Sequence, residues 1–133
     1  MLPALLATTR RRGWLPLALV AAHLALAFGV GAYEAWPPLD MPMHLAGGAI
    51  AAWFLAGWVE RLELTRPALW VLALTAGAAL SWELLENTAD VLFAASWQLG
   101  LRDTTKDLVL GLLGCLVYLL LTRRAVRDSR PAA

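Results

Sequence analysis

The chain has 133 residues, 60% of them hydrophobic, with seven tryptophans, a mean hydropathy of +0.63 and a formal net charge of +1. A soluble domain of this size would lack the polar surface to cover itself, so the composition points to a small integral membrane protein. A single cysteine, Cys115, excludes an internal disulfide, and there is no Cys/His zinc spacing, Gly-rich phosphate loop or G-x-S-x-G motif.

Four uncharged runs follow one another: Gly13 to Tyr33, Met41 to Val59, Pro67 to Trp82 and Leu108 to Thr122. Crossing about 30 Å of hydrocarbon takes roughly 20 helical residues. The first run follows Arg10 to Arg12, is longer than a secretory apolar core and is followed by no good A-x-A cleavage site, so it reads as a span over about 13–34. It carries His23 near mid-depth, where a lone imidazole is expected to bond a neighbouring backbone or hydroxyl group. The second run predicts a helix over 41–60, opened by Asp40 and His44. The third starts at Pro67, a good first-turn residue, but is too short. It must extend through Glu83 and Glu86 to about residue 91. The fourth ends at Arg123 and Arg124, which can snorkel, so it gains length at its start and draws Asp107 and Asp103 to the membrane edge, giving 103–122. Residues 123–133 form a basic tail. The expectation is an all-α, polytopic membrane protein: one membrane domain of four transmembrane helices.

Lys and Arg in the loops set the orientation. Arg10, Arg11, Arg12, Arg61, Arg66, Arg123, Arg124, Arg127 and Arg130 fall on one side, and only Arg102 and Lys106 on the other. Both termini are therefore expected in the cytoplasm, with Trp14, Trp58 and Trp70 near the inner interface and Tyr33, Trp36 and Trp97 near the outer one. Asp40 and His44, then Glu83, Glu86 and Asp90, then Asp103 and Asp107 all share the extracytoplasmic half. Ionisable groups at bilayer depth are costly, and their default reading is functional. The arginine clusters read as anchors for an anionic inner leaflet rather than as a nucleic-acid surface.

Helical phase groups these residues further. Asp40 and His44 continue as Gly47, Gly48 and Ala51; Ala76 and Ala79 lead to Glu83, Glu86, Asn87 and Asp90; Asp103 and Asp107 continue as Gly111 and Gly114. Each polar group stands above a stripe of small residues, which let membrane helices approach closely. Packing the stripes together brings the acids into one outward-facing cavity. Asp40 before Pro42 and Asp103 before Thr104 also fit N-caps, but capping does not account for His44, Glu83 or Asp107. Six acids against Arg102 and Lys106 cannot all stay ionised in low dielectric, so the cluster holds protons or a cation. Asp40, His44, Glu83, Glu86, Asp103 and Asp107 are candidate ligands for a divalent metal such as Mg²⁺, Mn²⁺, Fe²⁺ or Zn²⁺.

The motifs D-M-P-M-H-L-A-G-G, W-E-L-L-E and D-T-T-K-D-L-V-L-G-L-L-G, in this order, resemble the small integral membrane proteins of the YjdF-like and VanZ-like group over roughly residues 37–121. Asp40, His44, Glu83, Glu86, Asp103 and Asp107 match polar positions of that pattern. Glu86 and Gly111 stand where VanZ-like members typically carry Gln and Asn, which favours the YjdF-like branch. The resemblance implies a bacterial inner-membrane protein and imports no reaction.

Three functions compete. A non-catalytic accessory or membrane-assembly factor, its acids a structural network, is slightly favoured as the commonest role for such small proteins. A membrane-embedded enzyme would act on a lipid or lipid-linked phosphate, with Glu83, His44 and Asp107 catalytic and Arg102 and Lys106 attracting the phosphate beside outward helix N-termini. A proton or cation transporter component is the third. With four helices and no polar route through the inner half, it calls for a homo-oligomer.

Overall fold

A computed structural model describes residues 1–93 and 100–128, and contains no strand among them. Trp97 and Arg130, with the end of the basic tail, lie outside the described residues. Helices α4 (Asp40–Arg61), α5 (Pro67–Phe93) and α6 (Leu101–Asp128) are each long and apolar enough to cross a bilayer. The protein is an all-α polytopic membrane protein. Helix α6 runs on to Asp128, past the helix end expected at residue 122 and into the basic tail.

The first span is not the single helix expected over 13–34. Helix α1 (Leu2–Arg12) and helix α2 (Trp14–Leu24) meet at Gly13, and α2 passes into a π turn at Ala25–Gly29. Three helices are long and apolar enough to cross by themselves, and this pair, bent by 46°, makes four if it is taken as one span. Pro16 accounts for the break. It has no N–H for the Arg12 carbonyl one turn earlier, and its ring crowds that carbonyl. Past the π turn, Gly31 adopts φ +60°, a left-handed conformation that glycine reaches without a Cβ penalty. The chain then turns back through the short helix α3 (Ala32–Ala35) and a 3₁₀ turn at Pro37–Leu39 into α4.

The most extensive helix packing is between α4 and α6, with α5 lying against both. Small residues make this possible. A Cβ on Gly48 would collide with the carbonyl of Gly111, and one on Gly114 with the carbonyl of Leu45. Ala52, Ala56, Val59, Val71 and Cys115 form the buried apolar core below these contacts. Helix α1 docks on the second half of α4: Thr8 is buried, Trp58 Nε1 donates to Thr9 Oγ1 at 3.2 Å, and Arg12 Nη1 donates to the Trp53 carbonyl at 2.8 Å. The Arg12 guanidinium also lies over the Trp53 ring and 3.5 Å from Glu60. Exposed Leu69, Trp70, Leu84, Leu85 and Val91 give α5 an apolar outer face suited to lipid.

Candidate functional site

Ionisable residues gather where α4 and α6 begin and α5 ends. His44, one turn into α4, is the hub. Its Nε2 lies 3.1 Å from Asp40 Oδ1 and 4.0 Å from Asp107 Oδ2 of α6. Its Nδ1 lies 3.6 Å from Glu83 Oε1 of α5. Both ring nitrogens therefore face carboxylates, and three helices supply them. The Glu83 and Asp107 side chains are only 3% and 4% exposed. Two sets of donors, Asp40/His44/Asp107 and His44/Glu83/Glu86, each lie within 4.8 Å of one another. They share His44.

Lys106 balances part of this charge. Its Nζ donates to Asp103 Oδ1 at 2.6 Å and Asp40 Oδ2 at 3.1 Å, and lies 3.3 Å from Asp107 Oδ1. That Asp107 oxygen is buried, and the approach of Lys106 does not have hydrogen-bond geometry. Asp107 Oδ1 is thus ion-paired but accepts no hydrogen bond, and it keeps acceptor capacity at the centre of the site. A lysine held by three carboxylates is poorly placed to recruit phosphate, and Arg102 is exposed outside the ion pairs among the described residues. Of the two residues expected to attract phosphate, Lys106 is thus engaged by carboxylates and Arg102 stays exposed. Capping by Asp40 is corrected as well: Leu39 is the N-cap of α4, with no side-chain cap bond, and Asp40 instead pairs with His44 and Lys106.

A second histidine joins the cluster from the broken first span. His23 Nε2 is 3.4 Å from Glu86 Oε1, and its Nδ1 is 2.7 Å from the Tyr33 hydroxyl. His23 also meets Trp82 edge-on at 5.0 Å between ring centres. Tyr33 stands outside the candidate spans. Burial first, then the charges of Asp40 and Glu86, push its phenol up to about 12, so it remains a proton donor. The Tyr33 hydroxyl thus engages one ring nitrogen of His23 and leaves the other, Nε2, facing Glu86. Tyr33 had been expected only in an aromatic belt. Ten residues along a straight helix would separate the two side chains by about 15 Å. The π turn and left-handed Gly31 bring them together, and periodicity does not reveal either.

Directly past His44 along α4, a cavity of about 240 Å³ opens between α2, α4 and α5. Its lining is apolar apart from a few groups, and includes Leu19, His23, His44, Gly47, Ala78 and Trp82. The cavity and the carboxylate cluster therefore share the His44 ring.

The family described as predicted membrane protein (DUF2238) matches residues 1–128. No curated protein and no solved structure matches the chain.

Proposed function

The chain belongs to the DUF2238 family of predicted membrane proteins, and from that premise we propose that it is a metal-dependent membrane enzyme whose His44 site binds a divalent cation and acts on a lipid or lipid-linked phosphate. The observation that carries this reading is the placement of His44, with a carboxylate-bearing donor set on each ring nitrogen drawn from three helices. One imidazole with several carboxylates suits Mn²⁺, Fe²⁺ or Zn²⁺, with Mg²⁺ less favoured by the nitrogen donor. Asp40, Asp103 and Asp107 share one lysine, and a dication beside His44 would add positive charge where carboxylates outnumber ammonium groups. The unmet Asp107 oxygen supplies a further acceptor.

The same acidity gives a reason for a metal in any reaction on phosphate. Carboxylates alone repel such a group, whereas a dication held by His44 and its carboxylates would supply attraction and Lewis-acid polarisation. With a cation held there, Glu83, across the His44 ring from Asp40, would serve as general base and Asp107 as a ligand. His23 and Tyr33 orient Glu86 from behind. A purely structural network, as the accessory role requires, gives no reason for the spare Asp107 acceptor or for a cavity against His44. A transport path finds no polar continuation along the Gly48, Ala52 and Ala56 face of α4, which is buried against apolar neighbours.

The loop charges support the topology of this proposal: both termini in the cytoplasm of a bacterial inner membrane, with the site on the outer side. The motif order supports the YjdF-like branch. The test is direct metal analysis of purified protein, followed by Mn²⁺ and Zn²⁺ titration of the metal-stripped protein. About one tightly held dication per chain is expected, lost in His44→Ala and Asp107→Asn. Equal binding by these variants, or none by the unaltered chain, overturns the reading.

A further inference from the structure

The α2 segment packs along α4 but has no extended contact with α5. It meets α5 through His23, against Trp82 and Glu86, near the polar cluster. Past that point the cavity lies between the two helices, and Val20 on one wall and Ala78 on the other are exposed. Both walls belong to apolar membrane segments, so the opening faces hydrocarbon rather than water.

Gly47 carries an independent signal. Gly48 and Gly114 are small because a neighbouring backbone occupies the space a side chain would need. Gly47 has no such constraint. A Cβ there would meet only Leu19 Cδ2, at an ordinary 3.6 Å. Glycine in a helix interior costs about 1 kcal/mol relative to alanine, and close helix packing does not account for it at this position. Space kept open along the cavity does.

We propose that this cavity seats one hydrocarbon chain of a membrane lipid, with the lipid's polar end directed past His23 and His44 to the carboxylate site. The chain slides in laterally between α2 and α5, where predominantly apolar walls match it. The His44 edge of the cavity marks where apolar lining gives way to ionisable side chains, which matches the boundary between a lipid's tail and its head. This deepens the proposed function by locating the apolar part of its substrate, and it rests on that reading for the chemistry at the polar end.

The experiment uses the full chain reconstituted in phospholipid vesicles containing a trace of phospholipid with a photoactivatable diazirine on its acyl chain. Crosslinks are mapped by peptide mass spectrometry. Labelling at Leu19, Ile50 and Ala78 is expected to exceed labelling on the lipid-facing stripe at Leu84 and Leu85. Gly47→Leu, which fills the cavity without touching the α4–α6 contact, should lower the cavity labelling about tenfold. Ala78→Leu provides a second filled variant should the first fold poorly. Both should bind Mn²⁺ as the unaltered chain does. Cavity labelling no higher than on the outer stripe, or labelling unchanged in both variants, overturns the proposal. Loss of metal binding in the unaltered chain would instead overturn the site reading, whatever the crosslinks show.

Discussion

The two halves of the α4–α6 pair solve opposite problems. In the half around Gly48, Ala52, Ala56 and Cys115, the helices approach until backbone meets backbone, and the buried side chains are apolar. In the half around Asp40, His44, Lys106 and Asp107, the same helices carry charges that hydrocarbon penalises. Dispersion and close packing hold the first half, where lipid and protein interior are equally apolar. The second half is held by ion pairs whose desolvation offsets much of their attraction. The comparison teaches that the packed half supplies the stability and the charged half draws on it. A site can then be assembled from residues that would not hold three helices together by themselves.

The largest effect should come from the packed half. Gly48→Val forces a branched side chain into the Gly111 carbonyl, and should cost about 3 kcal/mol or more as the helices are pushed apart. Thermal unfolding in detergent would read this, and a stable Gly48→Val protein would break the proposed division of labour. Lys106→Met sharpens the other side. It removes the cation shared by Asp40, Asp103 and Asp107. For a partly exposed lysine the expected cost is about 1–2 kcal/mol in metal-free protein. Affinity for Mn²⁺ should rise, because the metal no longer competes with the ammonium group. A fall in affinity on titration would show that Lys106 supports the site rather than restrains it. The smallest effect is expected at the edge. Tyr33→Phe should leave the fold unchanged and removes the hydroxyl that orients His23 towards Glu86. Metal affinity should fall about tenfold, as when other outer-shell partners are removed. Unaltered affinity in calorimetry would detach the His23–Tyr33 pair from the site.

Much of the site was legible before the structure because it depends on helical phase. Asp40 and His44 are four residues apart, as are Asp103 and Asp107, and the short third and fourth runs forced Glu83 and Asp107 to the membrane edge. Phase also pointed to Gly48, Gly111 and Gly114 as packing residues. What could not be read was anything set by a break in regular geometry or by contacts between distant segments. Pro16, the π turn and Gly31 divide the first span and return Tyr33 to His23. Lys106 looked like an anion-binding residue because its tie to Asp40 crosses from α6 to α4. Gly47 belonged to a small-residue stripe by spacing, yet its place in the structure is beside a cavity.

The dominance of the α4–α6 contact also has a consequence for biogenesis. The helix that completes the site is synthesised after both of its partners. While α4 and α5 emerge, Asp40, His44 and Glu83 have no Asp107 or Lys106 to meet, and Gly48 faces no Gly111. Domains assemble largely in the order of synthesis, so these groups must wait near the bilayer edge, in reach of water, until α6 inserts. Arrival of the last helix then closes the glycine contact and gathers the charges in a single event.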